Sequence, residues 1–160
     1  MIKIVNCDVF KSGANFILHQ VNCQGVMGSG VAKQVRDKYP EVYSAYVTLC
    51  NKYLDNTEAL LGKVQYVPTW NDDKESFSGI VNLFAQDRFG YDGKCYTDYQ
   101  ALRECLEKVK RRVNSGESIA IPYLMGCHRG GGDWNVVYNI IQQVFSDGGI
   151  DVLICKFNGR

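Results

Sequence analysis

Two glycine-rich loops, far apart in the sequence, each stand between a strand-like apolar run and a helix-like segment. Loop 1, residues 25–30, reads Gly-Val-Met-Gly-Ser-Gly and follows the apolar run 16–21. Loop 2, residues 126–132, reads Gly-Cys-His-Arg-Gly-Gly-Gly and follows the run 118–121. Glycine lets backbone N–H groups approach an anion, and a helix N-terminus adds unpaired donors and a favourable dipole. One such loop is most simply a tight turn, but two in a short chain predict a cleft for a phosphate-bearing ligand.

Strand-like and helix-like segments alternate along the whole chain. Short apolar runs predict strands, and apolar residues that recur every three or four positions predict helices. The strands are predicted at residues 2–5, 16–21, 63–67, 79–84, 118–121 and 151–155. Helices are predicted at 29–38, from residue 40, after residue 97 and after residue 133, with a polar hairpin loop at 71–78. This order predicts one domain over residues 1–160, with a three-layer α/β/α architecture.

Three local signals mark where helices begin. Pro40 suits the first turn of a helix, where its missing N–H is not needed. The sequence Thr97-Asp98-Tyr99-Gln100 has the pattern of a capping box, in which the Thr97 hydroxyl caps the helix and Gln100 returns the bond. Asp133 is predicted to cap the last helix.

Composition narrows the classes of function. A chain of 160 residues with 46% hydrophobic residues fits one domain, and a net charge of +1 gives no support for sequence-independent binding of nucleic acid. The basic run 108–112 is interpreted as the solvated last turn of a helix. Seven cysteines without a C-x-x-C pair favour reduced thiols over disulfides or zinc, so we expect no metal. No signal-peptide or membrane-span pattern is present, so we expect a cytoplasmic monomer with no membrane partner.

Several segments together resemble the macro domain, the ADP-ribose-binding module, over nearly the whole chain. They are Asn6-Cys7-Asp8-Val9, His19-Gln20-Val21-Asn22-Cys23, Met27-Gly28-Ser29-Gly30-Val31-Ala32, Asn82-Leu83-Phe84, Ile121-Pro122, Gly126-Cys127 and Asp133-Trp134. The chain is most similar to the small macro proteins that include ADP-ribose-1″-phosphate phosphatases, and it is also similar to the ADP-ribosyl hydrolase branch. The resemblance implies a mixed, mostly parallel six-stranded sheet with the ligand at the carboxyl ends of the strands.

The resemblance also implies which residues hold ADP-ribose. Asp8 would accept the adenine amino hydrogen, although a capping role is its simpler alternative. Asn22 would hydrogen-bond the distal ribose, with a turn-forming role as the alternative. Phe157 and Asn158 would border the adenine or serve only terminal packing. The remaining residues implied to contact the ligand are Val9, Gln20, Met27, Gly28, Ser29, Gly30, Val31, Phe84, Gly126, Cys127, His128, Arg129 and Gly130.

A phosphatase needs a group that attacks phosphorus or exchanges a proton, and two histidines are candidates. His19 ends the second predicted strand, where the similar phosphatases also have a histidine, and imidazole titrates near neutrality. Alternation along a strand places His19 and Gln20 on opposite faces, so only one of them is expected to face the ligand, and a buried structural role for His19 stays open. His128 in loop 2 is the second candidate. Asn22 is also expected to belong to the catalytic site. Arg129 suits the phosphate charge.

Two departures weaken the hydrolase alternative. The glutamyl- and DNA-directed hydrolases carry a lysine shortly after the 82–84 strand, where this chain has Gln86, and their acidic residue in the second loop falls near Gly130. Lys94 or Asp133 are the residues that would have to substitute. An ADP-ribosyl glycohydrolase acting on protein or DNA and a non-catalytic ADP-ribose reader therefore remain the alternatives to a phosphatase.

A dinucleotide-cofactor site is disfavoured because loop 1 lacks the third glycine of that fingerprint, so no cofactor is expected. The expected partners are ADP-ribose or a derivative, with ADP-ribosylated protein or nucleic acid as further candidates.

Overall fold

The computed structural model describes residues 1–70 and 76–157, which form one six-stranded sheet with helices on both faces. The strands are β1 (Ile2–Asn6), β2 (Phe16–Asn22), β3 (Val64–Pro68), β4 (Gly79–Gln86), β5 (Ser118–Pro122) and β6 (Asp151–Lys156). The helices are α1 (Gly30–Lys38), α2 (Pro40–Asn51), α3 (Tyr99–Arg112) and α4 (Trp134–Val144). All six predicted strands and all four predicted helices are confirmed. Part of the predicted hairpin loop at 71–78 lies outside the described residues.

The sheet has the strand order β1-β6-β5-β2-β4-β3. Its neighbouring strands are parallel except for β3, which is antiparallel to β4. The predicted mixed, mostly parallel sheet is therefore confirmed. The carboxyl ends of β6, β5, β2 and β4 meet along one edge, which is where an open α/β sheet forms a ligand crevice.

Two hydrophobic clusters fill the space between the sheet and its helices. Alternate residues of β2 point to opposite faces, as the period of a strand requires. Leu18 joins the cluster that α3 and α4 cover, whereas Ile17 and Val21 join the cluster that α1 and α2 cover. The predicted three-layer arrangement is confirmed, and each helix stripe faces the sheet.

The beginning of α3 differs from the prediction. Asp98, rather than Thr97, occupies the N-cap, and its carboxylate accepts a hydrogen bond from the Ala101 N–H at 2.9 Å. The capping-box assignment is therefore wrong by one residue. Thr97 instead donates its hydroxyl to the Gly126 carbonyl oxygen at 2.7 Å. The Thr97 side chain therefore bonds to a residue distant in sequence and does not cap α3, although the local pattern had predicted that it would.

The other two start signals are confirmed. Pro40 is in the first turn of α2, and the Asp133 carboxylate caps α4 by accepting from the Asn135 N–H at 2.8 Å. Two short 3-10 helices, Val9–Lys11 and Thr57–Leu60, were not predicted because they are too brief to show a period. In the described part of the chain, no helix is long and apolar enough to cross a membrane.

Candidate functional site

A cleft of about 700 Å³ lies over the carboxyl ends of β2, β4, β5 and β6. The N-terminus of α1 forms one wall, and loop 2 forms another. Most of the sequence-predicted site residues line it, namely His19, Gln20, Asn22, Gly28, Ser29, Gly30, Val31, Gly126, His128, Arg129, Gly130 and Phe157. Residues from both faces of β2 line the cleft, whereas the sequence predicted that only one face would do so. The reason is that the cleft covers the end of the strand, where its register with β4 shifts between Val21 and Asn22.

Loop 1 delivers the start of α1 to the cleft. Gly30 has φ +58°, a conformation that favours glycine, and a Cβ added there would have no heavy atom of the described residues within 4 Å. Ser29 makes no side-chain cap bond, and the first turn of α1 has no acidic residue. Within residues 1–70 and 76–157, the first amides of α1 are therefore not occupied by the side chain of the N-cap residue. Together with the helix dipole they suit an anion.

Side chains beneath loop 1 hold its shape. The Asn22 amide donates to the Val26 carbonyl oxygen at 2.8 Å and accepts from the Gln24 N–H at 3.0 Å. The hydroxyl of Tyr46, fully buried on α2, donates to the Asn22 carbonyl oxygen at 2.7 Å and accepts from the Val26 N–H at 3.1 Å. Asn22 thus shapes the turn and also lines the cleft. The turn-forming role that was its alternative is present in the structure.

Loop 2 is fixed by backbone contacts to the segment 94–97. The Gly130 carbonyl oxygen accepts from the Tyr96 N–H at 2.7 Å and from the Thr97 N–H at 2.8 Å. A Cβ on Gly130 would lie 2.6 Å from the Gly126 carbonyl oxygen and would also meet the Thr97 hydroxyl. No side chain fits at residue 130 without movement of the loop. The acidic residue of the hydrolase branch is therefore excluded there by packing.

An amide cluster of Gln20, Gln86 and Thr97 lies below loop 2. The Gln20 Nε2 donates to Gln86 Oε1 at 2.7 Å and to Thr97 Oγ1 at 2.9 Å. Gln86 in turn donates to the Arg88 carbonyl oxygen at 3.0 Å. Both amides are neutral and their hydrogen bonds fix their positions. Gln86 therefore offers neither the nucleophile nor the cation that a lysine would provide at this point.

A chain of buried amides fixes the tautomer of His19. Gln65 donates to the Ala45 carbonyl oxygen at 3.0 Å, so its Oε1 is free to accept from Asn82 Nδ2, also at 3.0 Å. Asn82 Oδ1 must then be the acceptor for His19 Nε2, which lies 2.6 Å away. The proton consequently sits on Nε2, and Nδ1 is a lone pair with no hydrogen-bond partner among the described residues.

The environment of His19 keeps the ring uncharged. The side chain is 2% exposed, and burial lowers the pKa of its imidazole to about 4, a shift that the hydrogen bond to Asn82 only partly opposes. At neutral pH, His19 is therefore a neutral acceptor at Nδ1 and cannot donate a proton as an imidazolium.

Loop 2 carries the more accessible polar groups. His128 is exposed and Arg129 is half-buried, and both line the cleft. The Arg129 guanidinium lies over the ring of Tyr91, with Cζ 3.5 Å from the ring centroid. Lys94 and Asp133, the two residues considered as substitutes for the hydrolase groups, do not line the cleft. Lys94 faces Asp92 at 3.9 Å and Asp133 caps α4.

Five of the predicted ligand residues are not on the lining of the cleft. Asp8 caps the 3-10 helix Val9–Lys11 by accepting from the Phe10 N–H at 3.0 Å, which is the capping role given as its alternative. Cys127 is half-buried, and burial raises the pKa of its thiol to about 11. The other three are buried in the core, namely Val9, Met27 and Phe84. Asn158 lies outside the described residues.

Sequence reasoning missed apolar residues around the mouth of the cleft. Val26, Leu124 and Phe157 are each more than one third exposed and line it, and Phe89 lines it from the segment after β4. Only Phe157 was predicted. Leu124 has φ +64°, which is unusual for a residue other than glycine and occurs where surrounding structure fixes the backbone. An apolar residue in a loop gives no periodic signal, so these contributions could not be read from the sequence.

The comparisons with known proteins decide the family. The family model for the Macro domain matches residues 18–141. The chain belongs to the macro domain family. This confirms the resemblance drawn from the motifs. The solved macrodomain of Mycobacterium tuberculosis DarG superposes with a TM-score of 0.79 at 27% identity, covering 97% of each chain.

Two curated relatives of this macro domain carry different enzyme names. It is 34% identical over 135 residues to the ADP-ribose 1″-phosphate phosphatase of Scheffersomyces stipitis, covering 74% of this chain and 78% of that protein. It is 31% identical over 146 residues to the DNA ADP-ribosyl glycohydrolase of Mycobacterium tuberculosis, covering 91% of this chain. That alignment covers only 39% of the mycobacterial protein, so this chain spans well under half of that relative's length.

Proposed function

We propose that this macro domain binds ADP-ribose in the cleft and hydrolyses ADP-ribose 1″-phosphate to ADP-ribose and inorganic phosphate. The observation that carries the proposal is the cleft itself, in which the unblocked N-terminus of α1 faces loop 2. A diphosphate between them meets backbone donors from both sides. The similarity to the fungal phosphatase supplies the substrate class.

The ends of the cleft differ in a way that orients the ligand. Phe157 follows β6 and offers an apolar, 43% exposed side chain, which suits the adenine. Asp8, next to the same end of the sheet, remains the proposed acceptor of the adenine amino hydrogen. The distal ribose then lies toward Asn22 and the end of β4, next to the amide cluster. Because the N-terminus of α1 and loop 2 both line the cleft, we assign the diphosphate to the space between them.

The hydrolysis needs a positioned water and a proton for the leaving group. Water attacks phosphorus, the bond between phosphorus and the oxygen on C1″ breaks, and that oxygen takes up a proton as the ribose hydroxyl. Phosphoryl transfer requires orientation and charge stabilisation more than strong base catalysis. We assign proton delivery to His128, which is exposed and lines the cleft, and charge stabilisation to Arg129 and the α1 amides.

His19 has a narrower role in this proposal than acid–base catalysis in general. Its lowered pKa, caused by burial, makes it a weak base that is neutral throughout the physiological range. Nδ1 is shielded from solvent and has no hydrogen-bond partner among the described residues, and we assign it as the acceptor for a ligand hydroxyl or for the attacking water. His19 therefore serves as an acceptor that orients, and Asn22 positions the ribose beside it.

The alternative function is removal of ADP-ribose from protein or DNA, as in the name of the mycobacterial relative. The amide cluster weighs against it. Gln86 is a neutral amide that is hydrogen-bonded on both sides, and residue 130 has no room for an acidic side chain. A non-catalytic reader of ADP-ribose is the third possibility, since the binding features do not depend on the histidines.

Phosphorus NMR of the protein with ADP-ribose 1″-phosphate tests the proposal directly. We expect slow appearance of inorganic phosphate without added metal. His128→Ala should slow it by about a hundredfold, the usual loss for an acid–base group. His19→Gln, which keeps a donor for Asn82 but removes Nδ1, should slow it less.

The outcomes separate the three functions. Phosphate release that survives both histidine changes would remove the assigned mechanism. Efficient release of ADP-ribose from thymidine- or glutamate-linked substrates would place the protein with the glycohydrolases despite Gln86. Binding without any turnover would make it a reader. The expectations of a monomer, of a cytoplasmic location and of a single domain over residues 1–160 stay predictions.

A further inference from the structure

The side chain of Arg129 is held in place by an aromatic ring rather than by a carboxylate. Its Cζ lies 3.5 Å from the centroid of the Tyr91 ring, which is within the range of a strong cation–π contact. Tyr91 itself is 73% exposed. The ring therefore does little packing apart from covering the guanidinium. Stacking fixes the plane of the guanidinium, and the ring does not cover the edges that carry its N–H groups.

Arg129 also keeps unused hydrogen-bonding capacity. Its Nε is shielded from solvent and has no hydrogen-bond partner among the described residues. Arg129 forms no ion pair with another described residue. By contrast, Arg88 and Lys94 in the neighbouring segment each lie 3.9 Å from an aspartate. A shielded N–H without a partner is costly unless a ligand satisfies it. Since the residue lines the cleft, an anionic ligand group would meet that need.

The sheet order places this pair at one particular end of the cleft. Tyr91 lies in the segment after β4, whereas Phe157 follows β6, and β5 and β2 lie between those strands. Gly130, next to Arg129, packs against Gln86 at the end of β4. The pair therefore lies at the end opposite Phe157. With adenine at Phe157, that is the end where the substituent on C1″ projects.

We propose that Tyr91 is a positioning residue that holds Arg129 as a fixed cation for the phosphate on the distal ribose, so that the pair selects ADP-ribose 1″-phosphate over ADP-ribose. This inference rests on the proposed function, because it uses the same ligand orientation. It adds the residue pair that distinguishes substrate from product.

The test measures selectivity rather than affinity alone. Dissociation constants for ADP-ribose and for ADP-ribose 1″-phosphate are measured by calorimetry in the cold, with phosphorus NMR confirming that the ester is intact. We expect the parent to bind the phosphate ester more tightly by about tenfold or more, the range of one charge-assisted contact. Arg129→Gln should abolish that preference, so that the two ligands then bind with dissociation constants within about twofold of each other.

Variants of Tyr91 separate positioning from general structure. Tyr91→Leu should lose most of the preference for the phosphate ester, and Tyr91→Phe, which keeps the ring face, should retain it. Arg88→Gln is the matched control, because Arg88 is an exposed cation in the same segment that does not line the cleft. It should leave the preference unchanged.

Each other result overturns a stated part of the proposal. If Arg129→Gln weakens both ligands equally, Arg129 serves the diphosphate and the selectivity role is wrong. If Tyr91→Leu keeps the preference, Tyr91 does not position Arg129. If the parent binds ADP-ribose but does not prefer the ester, the inference fails while ADP-ribose binding stands. If the parent binds neither ligand, the proposed function fails first.

Discussion

Loop 1 and loop 2 have similar glycine-rich sequences, but their glycines meet opposite surroundings. At Gly30 in loop 1 a Cβ would meet no heavy atom within 4 Å in the described part of the chain, and at Gly28 it would make an ordinary contact of 3.5 Å with Val26. In loop 2 a Cβ on Gly130 would lie 2.6 Å from the Gly126 carbonyl oxygen, and one on Gly132 2.8 Å from the same oxygen. Loop 1 therefore uses glycine for backbone conformation and ligand access, whereas loop 2 uses it for close packing.

The two loops are also fixed in different ways. Side chains of Asn22 and Tyr46 hold loop 1 from beneath, through hydrogen bonds to Val26. Backbone N–H groups of Tyr96 and Thr97 hold loop 2, with the Thr97 hydroxyl in addition. A substitution should thus act on ligand binding in loop 1 and on folding stability in loop 2. Three sets of substitutions in and beneath the loops test this difference, and a further measurement tests the charge of His19, which lies on β2.

The largest effect is expected from Gly30→Glu in loop 1. The side chain would enter the open cleft with a negative charge at the helix N-terminus, so ADP-ribose affinity should fall by more than about a hundredfold, or roughly 3 kcal/mol. Gly30→Ala is the control for the cost of φ +58° alone, and it should keep most of the binding. Calorimetry with ADP-ribose measures both variants. Equal losses for Ala and Glu would mean that backbone strain, not access, dominates loop 1.

The next largest effect concerns pH and the buried imidazole on the α1 side of the sheet. Burial lowers the pKa of His19 to about 4. Between about pH 6.5 and pH 4, His19 is therefore protonated in the unfolded chain but neutral in the folded chain. The stability that depends on neutral His19 is complete above that pH and declines as pH falls toward 4. The loss should be about 1.4 kcal/mol per pH unit within this window.

Urea unfolding at pH 7, 6 and 5 isolates this contribution when the parent is compared with His19→Gln. The parent should lose more stability than the variant between pH 6 and 5, because only the parent carries the buried imidazole. Parallel curves for the two proteins would show that the pKa of His19 is the same in the folded and the unfolded state.

In loop 2, Gly130→Ala should destabilise the fold by about 1–3 kcal/mol, the usual cost of overpacking. The added methyl group would press on the Gly126 carbonyl oxygen, which cannot rotate away. Gly28→Ala in loop 1 is the matched control and should change stability by less than about 0.5 kcal/mol. Thermal or urea unfolding compares them. The proposed packing role of loop 2 is wrong if the two substitutions cost the same.

The smallest effects should come from removing one hydroxyl beneath each loop. Tyr46→Phe and Thr97→Val should each cost about 1 kcal/mol of stability. Only Tyr46→Phe should also weaken ADP-ribose binding, by several-fold, because loop 2 keeps its two backbone bonds to Gly130 after Thr97→Val. Unfolding curves and calorimetry on the same samples give both quantities. If Thr97→Val weakened ADP-ribose binding and Tyr46→Phe did not, loop 2 rather than loop 1 would be the loop whose shape determines binding.

The parts of the site that could be predicted from sequence are those with local signals. The strand before each loop and the helix after it follow from apolar periodicity, and Asp133 was identified as a cap by its position. Even a local signal can be overridden by a residue that is close in space but distant in sequence. Thr97 fits the local capping pattern, yet Asp98 caps α3, because Thr97 bonds to Gly126, a residue 29 positions away.

The sequence by itself determined the order of strands and helices, the macro domain family and the two glycine-rich loops at one edge of the sheet, because each depends on residues near one another in the chain. Only the tertiary structure decided that His19 is neutral with its lone pair on Nδ1, since that follows from Asn82 and Gln65 on other strands. The same holds for Tyr91 over Arg129 and for the absence of space at Gly130. Burial and hydrogen bonding between distant segments set the charge and the space of a site, and no local pattern encodes them.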